Sequence, residues 1–271
     1  MEKTVIGETD IAAFGRDGAV CLRGVFGDWV DSIAAGIERN LAEPGPYASE
    51  NFRQGDTGRF FDDYCNWQRI PEIRRFVTES PAAEIAARVM RSRRAQLFHD
   101  HVLVKEPGTS KATPWHQDMP YYFVDGSQTV SFWIPVDPVS DATLRVIAGS
   151  HLWDKLVLPV RWLDDSSFYP DPEAYLPVPD PDAEPGRYRV LEWAMEPGDA
   201  VLFDYRAVHG ARANLAERRR RALSVRWVGD DARYVTRPGR TSPPFPGHGM
   251  RDGDRLREDW FPVVWSDGAA D

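Results

Sequence analysis

The sequence predicts a mainly β fold, a sandwich or barrel with a helix-rich part packed on it. Two observations carry this prediction. From residue 95 onward, apolar and polar residues alternate with period two, in short runs separated by turn signals. Before residue 90 the apolar positions recur at helical spacing instead. No linker divides the two stretches, and no repeat or low-complexity tract is visible. Residues 1–271 therefore read as a single domain, helix-rich over 1–94 with a β core over 95–271.

The elements follow in order. Asp10 to Phe14 reads as a short capped helix. Gly18 to Phe26 is an apolar strand. Between Trp29 and Leu41, Val30, Ile33, Ala34, Ile37 and Leu41 share one helical face, and Pro44-Gly45-Pro46 stops the helix. Pro71–Thr78 and Pro81–Arg91 form a helix pair, with Ser80 as N-cap before a proline at the first helical position. The alternating runs are Leu97–Lys105, Thr129–Val136, Tyr188–Trp193, Ala200–Tyr205 and Ala222–Val228. Turns at Pro107-Gly108, Asp125-Gly126 and Pro197-Gly198-Asp199 separate them. Residues 159–185 hold seven prolines and read as a long ordered insertion on the barrel rim, a lid over the pocket mouth.

Composition excludes several functions. Thirty-three basic against 42 acidic residues give a formal charge of -9, which argues against nucleic acid and anionic membranes as partners. No apolar run reaches the roughly 20 residues of a membrane span. The opening MEKTVIGETD lacks the basic-then-apolar layout of a signal peptide. Cys21 and Cys65 make no disulfide framework and fit a reducing, cytoplasmic setting. Ten Trp, nine Tyr and 13 Phe suit either a β core or an aromatic cavity for a small-molecule substrate.

Chemistry concentrates in Pro114-Trp115-His116-Gln117-Asp118. His116 and Asp118, two apart on an extended segment, share a face and can offer an imidazole nitrogen and a carboxylate oxygen to one metal. His209, at the end of a strong strand pattern, can complete a two-His, one-carboxylate face. Such a face leaves open positions and suits non-haem Fe(II) chemistry. Further on, Arg218-Arg219-Arg220-Arg221 runs into a strand. An arginine facing into a barrel would be an unpaired buried charge, and a bound dicarboxylate would be its partner.

These blocks resemble the phytanoyl-CoA dioxygenase family. The resemblance rests on Trp115-His-Gln-Asp118, Val130-Ser-Phe-Trp-Ile-Pro-Val136, Leu144-Arg-Val-Ile-Ala-Gly-Ser-His151, His209-Gly210 and Arg220-Arg-Ala222, in order over about residues 95–228. Residues 14–26 are similar to the family's opening strand. The resemblance implies a double-stranded β-helix (jelly roll, cupin-like) that uses Fe(II), 2-oxoglutarate and O2. It implies that His116, Asp118 and His209 are the catalytic metal ligands, that Arg220 binds the far carboxylate of 2-oxoglutarate, and that Trp133 lies near the cosubstrate. One departure is Ala211, where many relatives carry Ser or Thr. Another contrast concerns Asp118: related halogenases have Gly or Ala at that position, so oxidation, typically hydroxylation, is expected here.

Other residues are read beside this frame. Lys105 can reach a cosubstrate or substrate carboxylate, on the same strand face as Leu97, His99, His101 and Leu103. His99-x-His101 is also a metal-type pair. Trp115, Tyr121, Tyr122, Phe60 and Phe61 are expected to wall a substrate pocket, with one of the adjacent tyrosines pointing inward. His151 belongs to a structural turn and His248 to a Gly/Pro-rich tail. Arg145, Arg206 and Arg212 are candidates for an anionic substrate. The expected function is oxidation of a small metabolite or natural-product intermediate, with release of succinate and CO2. The alternatives are a cupin-like metalloenzyme that does not use 2-oxoglutarate and a non-catalytic binding protein on the same fold.

Overall fold

The computed structural model describes residues 6–52, 55, 57–162, 164 and 166–268. Helix α1 (Glu8–Asp17) is capped by the Asp10 carboxylate, which accepts from the Gly7 amide at 3.2 Å. It ends at Gly18, whose φ of 77° is left-handed and where a Cβ would lie 2.5 Å from the His151 ring. Strand β1 (Ala19–Leu22) and helix α2 (Val30–Ala42) follow, then β2 (Ser49–Glu50), β3 (Phe60–Tyr64), α3 (Pro71–Glu79) and α4 (Ala82–Val89). Ser80 Oγ accepts from the Ala82 amide, but the N-cap of α4 is Pro81, not the expected Ser80, which closes α3.

The long strand β4 (Arg94–Lys105) begins the β core. It is followed by β5 (Thr113–His116), β6 (Val124–Asp125), β7 (Thr129–Pro135), β8 (Leu144–Ile147) and β9 (Val190–Glu192). The last strands are β10 (Ala200–Phe203), β11 (His209–Ala211), β12 (Arg220–Val228), β13 (Arg233–Tyr234) and β14 (Val263–Ser266). The main antiparallel sheet runs β1-β10-β7-β12-β4-β3-β2, with β14 on the end of β4. A smaller sheet, β5-β11-β8-β9, faces it, and β13-β6 form a separate ribbon. Two facing antiparallel sheets of this kind make a double-stranded β-helix.

The strands β1 and β3 show that the first 94 residues supply sheet as well as helix. The apolar spacing of that stretch hid β3, whose aromatic and acidic residues carry no helical period. The short strands β5, β8 and β11 lie outside the alternating runs read from the sequence.

One face of the main sheet is covered by α1–α4. Val130, Phe132, Ile134, Leu223, Val225 and Trp227 pack there with Ile33, Ile37 and Phe76. The other face looks into the barrel and carries His101, Lys105, Ser131, Arg220, Ser224 and Arg226, all buried. A bulge sets this register. Arg226 pairs with His99 but Trp227 pairs with Leu97, so Phe98 is the extra residue. Leu97 consequently joins the helix-side core. This corrects the expectation that it shares a face with His99, His101, Leu103 and Lys105. No described helix is long and apolar enough to cross a membrane.

Candidate metal centre

His116 ends β5 and His209 starts β11, and the two are direct cross-strand partners. Their ring centroids lie 4.2 Å apart. Asp118 follows β5, and its Oδ1 is 3.8 Å from each Nε2. One ligand atom from each of the three lies within 4.8 Å of the others, and among the described residues they are the group able to hold a metal ion. His99 and His101 do not join them.

Each imidazole is oriented by a backbone carbonyl. His116 Nδ1 donates to Pro114 O at 2.8 Å, and His209 Nδ1 donates to Ala207 O at 2.9 Å. Both Nε2 lone pairs are therefore left to face Asp118, the arrangement a metal needs. Asp118 Oδ2 accepts from Ser131 Oγ at 2.9 Å and lies 3.5 Å from Arg226 Nε, so Oδ1 is the free oxygen. Burial, reinforced by His209, pulls the His116 pKa down to about 3. Burial likewise lowers His209. Burial pushes the Asp118 carboxyl up, but Arg226 and the two imidazoles outweigh it and hold it well below the usual range. Without added protons the trio thus presents two neutral nitrogens and one carboxylate, the states that bind a divalent cation.

Behind the trio lies a narrow cavity of about 30 Å³ lined by His209, Trp133, Thr113, Ala211 and Arg220. Arg220 is buried, its Nε has no partner, and its guanidinium sits 5.6 Å over the Trp133 ring. Lys105 is its cross-strand neighbour. Lys105 Nζ donates to Arg212 O at 3.0 Å and sits 4.6 Å over the Phe60 ring. Neither cation has a carboxylate within ion-pair distance among the described residues. Burial lowers Arg220 to about 10 and drives Lys105 well below its ordinary value, the latter helped by Arg220. Two adjacent buried cations without a counter-charge are costly, and a carboxylate is the group that fits them. The neighbours Arg219 and Arg221 face outward onto Glu106, Glu38 and Asp137. Thr113, the partner of Ala211 across the sheet, brings a hydroxyl to the same cavity.

In front of the trio opens a chamber of about 310 Å³. Tyr121 and Tyr122 both line it. The expectation that only one points inward fails because Met119–Tyr121 is a 3-10 turn, where adjacent side chains do not oppose one another. Trp115 and Phe61 do not wall the chamber. Trp115 has the opposite parity to His116 and lies under Arg145 at 4.8 Å. Phe61 points to the helix side. Phe60 faces the barrel interior beside Lys105 and Trp162. The 159–185 insertion does form part of the wall, through Val160, Arg161, Trp162 and Phe168. It is tied down by Tyr121 Oη, which bonds both Val160 backbone groups, and by a two-point Arg145–Asp182 pair.

Arg145, Arg206 and Arg212 are engaged elsewhere, with Asp182, with the His151 and Trp153 carbonyls, and with Glu192. His151 and His248 serve local structure: the first contacts Gly15 O, the second accepts from the Met250 amide. Sequence reasoning missed Arg226, Ser131, Asp62 and Trp162. Arg226 shares strand parity with Arg220 and Ser224, a signal that was available.

A jelly roll with a buried two-His, one-carboxylate face defines a class, the fold and site of non-haem iron oxygenases. The chain belongs to the phytanoyl-CoA dioxygenase (PhyH) family, whose sequence model matches residues 14–222. A "Probable phytanoyl-CoA dioxygenase" of Caenorhabditis elegans is 28% identical over 189 residues, 66% of this chain and 54% of that protein. The chain thus spans about half the length of that curated relative. Among solved structures, the non-heme alpha ketoglutarate dependent epimerase SnoN from nogalamycin biosynthesis superposes with a TM-score of 0.76 at 22% identity, over 97% of this chain and 98% of that one. The carbocyclase SnoK from the same biosynthesis gives 0.73 at 24% identity, over 96% and 97%. EctD from S. alaskensis gives 0.64 at 18% identity, over 84% and 79%. At these identities the likeness is one of fold.

Proposed function

We propose that this chain is an Fe(II)- and 2-oxoglutarate-dependent dioxygenase that oxidises, typically hydroxylates, a small metabolite or natural-product intermediate and releases succinate and CO2. One observation carries the reading. His116 and His209 of the preorganised trio border the same narrow cavity as the buried Arg220, whose Nε has no partner and whose cross-strand neighbour is the buried Lys105. A dicarboxylate that also binds metal is the ligand that answers both ends. SnoN has been crystallised with Fe3+, alpha ketoglutarate and nogalamycin RO, and EctD with 2-oxoglutarate and 5-hydroxyectoine, which supports a small-molecule substrate.

His116, Asp118 and His209 would hold iron, which with O2 and 2-oxoglutarate would supply the oxidising power for the reaction. The chain's own residues do the rest. Pro114 O and Ala207 O hold the imidazoles with Nε2 forward. Ser131 and Arg226 occupy Asp118 Oδ2, which keeps Oδ1 for the metal. Arg220 takes the far carboxylate, with Lys105 beside it across the strands, and Thr113 makes up for the hydroxyl absent at Ala211. Trp133 closes the cavity wall. Tyr121, Trp162 and Phe168 keep water from the chamber. Cys21 and Cys65 are free thiols, and burial raises both, Cys21 to about 11. The test is a substrate screen that reads succinate with iron and 2-oxoglutarate present. Turnover independent of 2-oxoglutarate, or failure to take up iron, would overturn the reading.

A further inference from the structure

The barrel face of β4 carries two histidines that the metal centre does not use. His99 and His101 both line the chamber in front of the trio. Each is fixed in one tautomer, and the two tautomers are opposite. His99 Nδ1 donates to Asp100 O at 3.1 Å, which leaves Nε2 as an acceptor. That Nε2 is buried and has no partner. His101 Nε2 lies 3.0 Å from Asp62 Oδ2, so it donates to that carboxylate and Nδ1 becomes the acceptor. Asn51 Nδ2 donates to the other oxygen of Asp62 and sets the orientation of the carboxylate. Two imidazole acceptors thus stand roughly 7 Å apart along one strand face. They address two separate donors.

A donor is also present. Arg226 is the cross-strand partner of His99, and its Nη1 is buried without a partner. Its charge is matched by Asp118 at 3.5 Å, and its Nε is taken by Tyr122 Oη at 3.0 Å. An acceptor and a donor side by side are the complement of a hydroxyl group, which needs one of each. An anionic group on this wall would instead meet the Asp62 carboxylate, since Arg161, the other cation lining the chamber, is exposed and turned onto Ser166 and Ser167. The opposite walls are aromatic, built from Tyr64, Tyr121, Trp162 and Phe168. Flat apolar faces with a few placed polar groups suit a ring compound.

We propose that this wall recognises a neutral, polyhydroxylated ring substrate, with His99, His101 and Arg226 as its hydroxyl contacts and Asp62 as the positioning residue that fixes the His101 tautomer. This deepens the oxygenase reading and rests on it only for which face of the chamber the substrate meets.

Asp62→Asn is the informative variant. Because Asn51 still donates to Oδ1, the new amide nitrogen must face His101 Nε2. The amide then donates where the carboxylate accepted, and the proton of His101 moves to Nδ1. Nitrogen-15 NMR of labelled histidine reads this directly. We expect an Nε2–H form in the wild type, an Nδ1–H form in Asp62→Asn, and His99 as Nδ1–H in both. The binding probes are 4-nitrophenyl β-D-glucopyranoside, its carboxylate-bearing glucuronide and palmitoyl-CoA. They are titrated against the full chain with zinc(II) and 2-oxoglutarate, and again metal-free. The neutral glucoside should bind at least about tenfold tighter than either anion, and Asp62→Asn should weaken it by about tenfold with zinc uptake unchanged. Three results would overturn the inference: no glucoside binding in wild type up to about 10 mM, an anionic probe binding as well as the glucoside, or a flipped tautomer with unchanged affinity. The charge comparison needs only the wild type and stands if Asp62→Asn does not fold. Glucoside binding in a chain that takes up no metal would sink the oxygenase reading and keep this one.

Discussion

On its helix side the main sheet presents Val130, Phe132, Ile134, Leu223, Val225 and Trp227. On the barrel side the same two strands, β7 and β12, present Ser131, Trp133, Arg220, Ser224 and Arg226. Both faces are buried, so burial alone does not separate them. The difference lies in what each face still lacks. The helix side is filled by other apolar side chains and leaves unpartnered only neutral groups such as the Trp227 indole N–H, among the side chains named here. The barrel side retains Arg220 Nε, Arg226 Nη1 and His99 Nε2 without partners. A buried polar atom left unsatisfied is expensive. That cost is tolerated where a ligand later supplies the missing bond. The comparison therefore separates residues that make the fold from residues that wait for something.

The first way to break the comparison is at the trio. His116→Ala, Asp118→Ala and His209→Ala should each abolish iron-dependent succinate formation while circular dichroism stays that of the wild type. Near-normal activity in any one would remove that residue from the ligand set. Asp118→Gly should retain some iron and take up chloride, because Ser131 and Arg226, which donate to the carboxylate, would then face an anion, but it should not become an efficient halogenase without further changes.

Arg220→Ala comes next. Losing one side of a buried charged pair costs roughly 3–5 kcal/mol, or about two to four decades in apparent 2-oxoglutarate affinity. Iron binding should be nearly unchanged. Arg219→Ala and Arg221→Ala, whose partners are at the surface, should shift the 2-oxoglutarate requirement little. A large rise in one of them would move the cosubstrate to the other face.

On the helix side the outcome should invert. Phe132→Ala removes a fully buried ring and should cost about 3–5 kcal/mol of stability, read by denaturant unfolding, with zinc affinity preserved in the folded fraction. Loss of metal binding at undiminished stability would contradict the division of labour.

The pH dependence sharpens the same contrast. His99, His101, His116 and His209 are all held below their ordinary pKa by burial, His116 down to about 3. A group lowered on folding contributes stability above its unfolded value, near 6.5, that is lost as the pH falls. The contribution of His116 to the stability of the metal-free chain, read by its melting temperature, should therefore be lost from about pH 6.5 toward its folded value of about 3, at about 1.4 kcal/mol per unit, and those of His99, His101 and His209 in the same direction, opposed by Asp100 and Asp204, whose carboxyls burial raises to about 7. His99→Leu should flatten the slope, and an unaltered slope would mean that this imidazole titrates freely. The smallest expected effect concerns the 159–185 insertion. Protease cleavage there should slow when 2-oxoglutarate and substrate are bound, and an unchanged rate would count against a closing lid.

Much of this was legible in the sequence, for a physical reason. His116 and Asp118 share a face because they are two apart in extended chain, and Arg220 faces inward because β12 keeps strict alternation. The misreadings came where alternation stops. Tyr121 and Tyr122 sit in a 3-10 turn, and Leu97 lies beyond a bulge. Phe61 and Trp115 were grouped with the pocket for being aromatic, but their parity sends them away from it. Asp62 and Trp162 carried no local signal. One sits on a strand inside a helix-patterned stretch, the other in a proline-rich insertion whose path only the folded chain reveals.

The extra residue at Phe98 acts as a phase shifter. N-terminal to it, odd-numbered positions of β4 point toward the helices; C-terminal to it, odd-numbered positions point into the barrel. One strand thereby anchors the helical layer at one end and furnishes His99, His101 and Lys105 at the other. Deleting a single residue there would do more than shorten a strand. It would remove the Phe98 ring from its packing against Tyr122, Phe123 and Phe261, while Leu97 and His99, now consecutive, would stay on opposite faces as their partners Trp227 and Arg226 already are.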